Sequence, residues 1–409
     1  MRDRVRRSII LVAQLSLGAM LLAQVGGPLQ VIQRPEANEP RAAAASPAIL
    51  ANDTLYVSGQ GGRNSDGRLP SDAQQEFSQS LDHVRGLLHQ AGMDLGNVVS
   101  INISVTHPQD VTRINETYWK SIGSSPPART VLIVGALPDG ESVQISCIAV
   151  RDTSTRRAIW PAGWPRGPHI DPPAIAAKDV FYLSAQTGAD PLTGRLAPDF
   201  AGEVKQALDN VATVLKSASM SMANVVFVNP FLTADSPQSV MNTTYATYFE
   251  FGNTPARATI GVAGLPSGHI VFSCIAGADL SHRKAIRPKN MQPSPTASPG
   301  VLYRDTFYLS AKSGFIPDQG IVTQDVELQL RQTMRNLLDG LQEADMDLSD
   351  VVFSTVYLRQ IGDADRVHAL YATFFPKSLP ARSTLQQSFD TTTTTGEQIS
   401  FIAVKHPRP

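Results

Sequence analysis

Three arginines that share one local context are the residues of this sequence best suited to chemistry. Arg129, Arg257 and Arg382 each end a Pro-Ala-Arg tripeptide. A guanidinium group is permanently charged, and its planar fork of donors matches a carboxylate in bidentate fashion. The recurrence favours a functional residue over the alternative, an ion pair at an internal interface.

Serines and asparagines recur together with these arginines. Ser58, Ser184 and Ser310 are spaced by 126 residues, and each is followed by Gly or Ala, which lets a ligand approach the backbone. Asn115 and Asn242 carry amides that both donate and accept hydrogen bonds. The alternatives are a tight β-turn for the serines and ordinary helix-surface polarity for the asparagines.

Other chemistries find little support in the sequence. The eight histidines show no metal-ligand spacing, and no phosphate loop or Gly-x-Ser-x-Gly elbow is present. The net charge of −1 and the scattered basic residues give no electrostatic footprint for nucleic acid. We therefore expect no metal, no cofactor and no nucleic-acid partner.

Four motifs recur in the same order and divide the chain into three copies of one unit. The first is the strand motif that contains Ser58, Ser184 or Ser310, and the second is a helix-to-strand motif that starts with Met. The third is Pro-Ala-Arg, and the fourth is a closing Ser-Cys-Ile-Ala or Ser-Phe-Ile-Ala. Each copy predicts the order β-β-α-β-α-β-β. The predicted domains span 47–152, 165–281 and 297–406, after an N-terminal segment 1–46 that is predicted to hold a targeting segment and a disordered linker. Gly-containing loops at Gly67, Gly194 and Gly320 are predicted to close the first hairpin of each copy.

The first helix of each copy has one apolar face at i, i+4, i+7 and i+11, which predicts packing on a core. Its residues are Phe77, Leu81, Val84 and Leu88; Val204, Leu208, Val211 and Leu215; and Leu330, Met334, Leu337 and Leu341. The Pro-rich linkers 153–168 and 283–299 are predicted not to be helical.

These motifs resemble the Rid family, also known as YjgF or L-PSP endoribonuclease proteins, over about 48–152, 170–281 and 300–405. The resemblance implies an α/β (α+β), chorismate-mutase-like fold. Single-domain members form homotrimers that bind ligands in clefts between subunits, so three copies in one chain imply an intramolecular pseudo-trimer and a monomeric protein.

The resemblance also assigns roles to the repeated residues. It implies that Arg129, Arg257 and Arg382 bind the carboxylate of a 2-imino or enamino acid. The resemblance likewise places the three serines, Asn115 and Asn242 beside the same clefts. In the third copy Lys312 replaces a glutamine and His368 replaces the asparagine, so we expect an altered, more basic third cleft.

One departure from the family pattern concerns catalysis. Active deaminases of the family carry a glutamate on the closing strand, where this sequence has Ser146, Ser273 and Ser400. Serine cannot act as a general base at its ordinary pKa. Two functions remain open: an imine or enamine hydrolase, and a module that binds a small carboxylate-bearing metabolite without turnover. No catalytic residue is identified from the sequence.

The N-terminus predicts export. Four arginines within residues 2–7 precede a largely apolar stretch over 8–25, followed by a polar segment rich in Ala and Pro. This pattern is typical of a signal peptide or an uncleaved membrane anchor. We expect a secreted or periplasmic protein, or one anchored to the outer face of the inner membrane.

Two cysteines occupy equivalent positions in two copies. Cys147 and Cys274 lie on the closing strand, and the third copy has Phe401 there. A position that accepts Cys, Cys or Phe indicates a core residue. We expect two free buried thiols, and the alternative is a disulfide bond.

Overall fold

The computed structural model describes residues 28–34, 45–289, 291–316, 319–388 and 395–406. Residues 1–27, which include the basic and apolar parts of the predicted signal or anchor, lie outside these residues, as does most of a run of five threonines at 391–395. Among the described residues, no helix is long and apolar enough to cross a membrane.

Each domain contains one mixed sheet and two helices in the predicted order β-β-α-β-α-β-β, preceded by one short edge strand; in domain 2 the strand that carries the arginine is divided into two. Domain 1 contains β1 (Gln30–Ile32), β2 (Ala48–Ala51), β3 (Thr54–Gln60), α1 (Ala73–Gln90), β4 (Val98–Val105), α2 (Val111–Ser121), β5 (Ala128–Ile133) and β6 (Val143–Val150). Domain 2 contains β7 (Arg157–Ile159), β8 (Ala174–Ala177), β9 (Val180–Thr187), α3 (Phe200–Ser217), β10 (Val225–Thr233), α4 (Gln238–Ala246), β11 (Ala256–Arg257), β12 (Ile260–Val262) and β13 (Ile270–Gly277). Domain 3 contains β14 (Arg283–Ile286), β15 (Gly300–Tyr303), β16 (Thr306–Lys312), α5 (Val326–Gln342), β17 (Val351–Leu358), α6 (Ala364–Ala372), β18 (Ala381–Gln386) and β19 (Glu397–Val404).

The three sheets share one strand order. It is β1-β2-β3-β6-β4-β5 in domain 1, with equivalent orders in domains 2 and 3. The strand that carries each repeated arginine pairs in parallel with the strand after the first helix, and the other neighbours along this order are antiparallel. The arginine strand is therefore an edge strand, free to meet another domain.

The edge strands β1, β7 and β14 come from segments expected to be linkers. Gln30–Ile32 pairs with β2, although an unstructured linker was expected through residue 46. Strands β7 and β14 pair in the same way with β8 and β15. The linkers contain no helix among the described residues, as their prolines predict.

The first hairpin of each copy closes earlier than predicted. In domain 1, β2 and β3 pair around a two-residue turn at Asn52-Asp53, and Asn52 has φ of +52°. The predicted loop at Gly67 instead joins β3 to α1. The prediction was wrong because a glycine with positive φ, here +75°, serves any tight turn and does not mark a hairpin.

The long helices begin at aspartate caps and bury their predicted faces. Asp72 and Asp199 each accept a hydrogen bond from a backbone N–H three residues later, and Asp325 caps α5 in a similar way. All twelve residues predicted for the apolar faces are buried. Each helix layer thus covers one side of its sheet and forms the core of its domain.

The opposite sides of the three sheets meet in one shared central core. It includes Tyr56 and Leu132 from domain 1, Phe231 from domain 2, and Tyr357 and Leu385 from domain 3. Short bridges join Ile133 to Gly264, Ala256 to Ser298 and, between the first and last domains, Ser46 to Ala381. The ring is closed within one chain, and the protein is an intramolecular pseudo-trimer.

Candidate functional site in the clefts between domains

Three clefts lie between domains, and each is held by a hydrogen bond between an arginine strand and a serine strand. The backbone N–H groups of Arg129, Arg257 and Arg382 donate to the hydroxyls of Ser184, Ser310 and Ser58, at 2.9, 2.8 and 2.7 Å. We name the clefts 1–2, 2–3 and 3–1 after the domains that supply the arginine and the serine.

Each serine hydroxyl forms its hydrogen bonds with backbone groups. Besides accepting the arginine N–H, each donates at 2.6 Å to the carbonyl twelve residues earlier, in Ser46, Pro172 or Ser298. All three serines are buried within strands rather than in tight turns. Their side chains fix the position of the arginine strand.

The second helix of each domain orients the arginine side chain. Arg129 donates to the Asn115 side-chain oxygen at 2.8 Å, and Arg257 donates to that of Asn242 at 2.7 Å. The guanidinium groups also stack on a helix tyrosine, 4.2 Å from the Tyr118 ring centroid and 5.0 Å from that of Tyr245. Each asparagine therefore holds its arginine in a fixed plane.

Cleft 1–2 contains a carboxylate of the protein itself. Arg129 donates from Nε and Nη2 to Asp171 Oδ2, at 2.9 and 2.7 Å. Asp171 belongs to the segment that leads into β8. Two residues earlier, His169 stacks on Trp119 with ring centroids 5.4 Å apart. Asp171 is therefore the acidic partner of the Arg129 guanidinium group, and His169 packs against Trp119 of helix α2 beside it.

Among the described residues, cleft 2–3 lacks this internal carboxylate and contains a cavity instead. Arg257 lines a cavity of about 420 Å³ that is also bordered by Thr259, Ala297, Lys312 and Gln398. Among the described residues, Arg257 has no acidic partner. Burial lowers the pKa of Arg257 without removing its charge at neutral pH.

Cleft 3–1 is closed over its arginine. Arg382 is 5% exposed and its Nη1 has no hydrogen-bond partner in the described part of the chain. Burial lowers the pKa of Arg382 to about 10. The Ser383 hydroxyl donates to Gln144 of domain 1 at 2.6 Å across the cleft. His368, which replaces the asparagine, contacts Thr384 at 3.2 Å.

The expected basic third cleft, with Lys312 and His368 beside Arg382, is wrong. His368 lies in domain 3 near Arg382, but Lys312 lines cleft 2–3 with Arg257. The reason is that each cleft combines the arginine of one domain with the serine strand of the next. The extra lysine therefore changes the second cleft and not the third.

The closing-strand serines do not supply an ionisable group. The Ser400 hydroxyl is buried and forms a hydrogen bond with Tyr357, whose pKa burial raises to about 12. Ser146 is also buried. In the described residues, no three His, Cys, Asp or Glu side chains come together in a way that could hold a metal ion.

Asp171 is the functional residue that the sequence analysis missed. It lies thirteen residues before Ser184, and the same position before the other two serines is Ala45 and Ala297. An aspartate in one copy where the other two copies have alanine is a difference that the sequence shows and that indicates a special role for this position. It was hidden because the position falls outside the four motifs, in a Pro-rich segment.

Cys147 and Cys274 are both free and buried. Burial raises the pKa of the Cys147 thiol to about 12. Both side chains belong to the cores of their own domains.

Comparisons with known proteins agree on one family. The model described as endoribonuclease L-PSP matches residues 36–151, 166–272 and 289–388. A protein of Rattus norvegicus named 2-iminobutanoate/2-iminopropanoate deaminase is 42% identical over 96 residues, which cover 23% of this chain and 69% of the relative. The Homo sapiens protein of the same name is 34% identical over 116 residues, which cover 28% of this chain and 85% of that relative.

Among solved structures, a chorismatase aligns with 76% of this chain and 93% of its own, with a TM-score of 0.52 and 14% identity. This likeness concerns the fold alone, and it extends over more than one domain. The Rid-family protein YyfA of Yersinia pestis is 32% identical, with a TM-score of 0.28, and covers 30% of this chain and 98% of its own. Three matches of one family model over most of the chain show that this protein belongs to the endoribonuclease L-PSP, or Rid/YjgF, family, in three consecutive copies.

Proposed function

We propose that cleft 2–3 binds the carboxylate of a small metabolite of the 2-oxo or 2-imino acid type on Arg257. One observation carries this proposal: the equivalent arginine in cleft 1–2 already holds a carboxylate, that of Asp171. At the equivalent position cleft 2–3 has Ala297, which lines the cavity. A ligand carboxylate would take the place that Asp171 takes in cleft 1–2.

The size and chemistry of the cavity support a small polar ligand. About 420 Å³ falls within the range of small-molecule sites. Asn242 and Tyr245 hold the guanidinium group before any ligand arrives, which reduces the entropy lost on binding. Arg129 is paired internally and Arg382 is buried, so cleft 2–3 is the cleft best suited to an external ligand.

We further propose that binding is accompanied by slow hydrolysis at most. The relatives named 2-iminobutanoate/2-iminopropanoate deaminase support imine chemistry at the level of the family. Against rapid turnover, the resemblance places the family's glutamate at Ser400, two residues after the cavity-lining Gln398, and the Ser400 hydroxyl forms a hydrogen bond with Tyr357. A serine cannot activate water as a carboxylate does.

Calorimetric titration with butanoate tests the binding site. Arg257→Ala should weaken binding by about 1.5–3 kcal/mol, the usual contribution of hydrogen bonds to a charged group. The matched control is the double variant Arg129→Ala with Asp171→Ala, which removes the internal pair of cleft 1–2 and should bind as the native protein does. Equal losses in both variants would contradict the proposal.

A reverse substitution tests the internal comparison directly. Ala297→Asp should place a carboxylate beside Arg257, as Asp171 is beside Arg129, and abolish butanoate binding. Ala297→Asn has nearly the same size without the charge and serves as the control. If both variants bind butanoate like the native protein, Ala297 does not mark the ligand position.

The hydrolytic step is tested with imines generated in the assay by an amino-acid oxidase. The native protein should accelerate their hydrolysis weakly, and Ser400→Glu should accelerate it more. Rapid hydrolysis by the native protein would contradict the proposal of slow turnover, and hydrolysis that Arg257→Ala leaves unchanged would contradict its assignment to cleft 2–3.

We also propose that the protein acts outside the cytoplasm as a monomer. The arginines and apolar stretch of residues 1–25 support export. A single-domain relative would trimerise through the interfaces that this protein forms between the three domains of one chain, so those interfaces are already filled in a monomer. Light scattering should give the mass of one chain, and a reporter fused after residue 46 should be active outside the cytoplasm.

A further inference from the structure

Lys312 is the feature of cleft 2–3 that the proposed function does not use. It is the last residue of β16 and lines the same cavity as Arg257. The equivalent residues in the other copies are Gln60 and Gln186. Gln186 is tied to the backbone, because its Nε2 donates to the carbonyls of Ser184 and Pro173, at 2.9 and 3.3 Å.

The lysine makes no such contacts. Within the described ranges, Lys312 has neither a hydrogen bond nor an ion pair. It is half-buried, and burial lowers its pKa to about 8. Holding a cation partly out of water without a partner costs free energy, and an anion bound beside it would offset that cost.

A second unpaired group belongs to a residue that lines the same cavity. The Thr259 hydroxyl is buried and has no hydrogen-bond partner among the described residues. Native proteins satisfy nearly all buried polar groups, so this unpaired hydroxyl is an exception within the described chain. The described residues that line the cavity include two cations, Arg257 and Lys312, and no carboxylate.

A passive role for Lys312 explains these observations less well. A lysine that only packs its methylene groups extends its amine into open water. Lys312 is instead half-buried among the residues that line the cavity with it, including Arg257 and Gln398. Two cations on different domains, each without an acidic partner in the described chain, match two separate anionic groups of one ligand.

We propose that cleft 2–3 selects a small dicarboxylate, with one carboxylate on Arg257 of domain 2 and the other near Lys312 of domain 3. This inference rests on the proposed function, because it needs Arg257 as the first anchor. It adds that the ligand carries a second acid group. The other two clefts have glutamine at the position of Lys312 and do not select for such a group.

Succinate and butanoate provide a matched test, since both have four carbons and differ by one carboxylate. In calorimetric titrations of the native protein at pH 7, succinate should bind at least about tenfold more tightly than butanoate. Lys312→Gln installs the residue of the other copies and should reduce succinate to the affinity of butanoate, while butanoate is unaffected. Lys312→Met, which keeps the side-chain volume, should behave as Lys312→Gln does, and thermal melts verify that both variants fold.

The outcomes separate this inference from the proposed function. If Lys312→Gln leaves the preference for succinate intact, or weakens both ligands equally, the dicarboxylate proposal is overturned while Arg257 stands as the carboxylate site. Tighter binding of inorganic phosphate than of succinate would show that both cations hold one group, and would also overturn it. If neither acid binds and Arg257→Ala changes nothing, the proposed function itself fails.

Discussion

Replacing Asp171 with alanine should turn cleft 1–2 into a second carboxylate site. The substitution reproduces the residue found at this position in the other two copies, Ala45 and Ala297. It frees the Arg129 guanidinium, which keeps its hydrogen bond to Asn115 and its stacking on Tyr118. The arginine would then resemble Arg257 in cleft 2–3.

The cost to stability follows from the burial of the pair. Removing one partner of a buried ion pair costs about 3–5 kcal/mol. The Asp171 side chain is 24% exposed and that of Arg129 is 9% exposed, so solvent screens part of the interaction. We therefore expect the free energy of unfolding to fall by about 2–3 kcal/mol, below the fully buried range. A carboxylate ligand present at a hundred times its Kd should restore about 2.7 kcal/mol.

The assay uses an Arg257→Ala background, so that cleft 2–3 does not contribute. Urea denaturation and calorimetric titration with butanoate would compare this background with the double variant that adds Asp171→Ala. The background should neither bind nor be stabilised, and the double variant should do both. An Asp171→Asn variant tests whether the charge or the side-chain volume blocks the site. Loss of stability without any recovery on adding butanoate would refute the argument that Asp171 occupies a ligand position.

Three further results are expected. Succinate binding to the native protein should weaken as the pH rises through about 8, because the Lys312 amine has a lowered pKa and loses its charge there, while Arg257 stays charged. In titrations at pH 6–9, the affinity of Lys312→Gln for succinate should not change with pH. Ser184→Ala should lower the free energy of unfolding by about 1–3 kcal/mol, since it leaves the backbone N–H of Arg129 without its acceptor, whereas substitution of an exposed serine should have little effect in the same urea titration. Cys147 and Cys274 should resist alkylation at pH 8 until the protein unfolds, because burial raises both thiol pKa values; modification of the native protein observed by mass spectrometry would contradict their burial.

The sequence predicts the architecture well because its signals are local and repeated three times. Helix faces such as Phe77, Leu81 and Val84 follow from spacing alone, and all are buried. The one wrong element, the hairpin assigned to the loop at Gly67, arose because positive φ at glycine serves several kinds of turn. Edge strand β1 was missed because three residues carry too little pattern to be recognised.

The candidate site depends on distances that the sequence does not encode directly. Sequence reasoning found the arginines, serines and asparagines, because each recurs within its own copy. It grouped Lys312 with Arg382, since both belong to the third copy. The structure pairs Lys312 with Arg257, because the serine strand of each domain docks on the arginine strand of the preceding one.

The sequence by itself determined three copies of one unit, the order of helices and strands along each copy, and the recurring arginine and serine positions. Only the tertiary structure decided that the three clefts are chemically different. Arg129 meets Asp171 across 42 residues, Arg257 faces a cavity with Lys312, and Arg382 is buried against domain 1. The physical reason is that the charge of a guanidinium group is balanced by its neighbours in space, and in a closed ring those neighbours come from another domain.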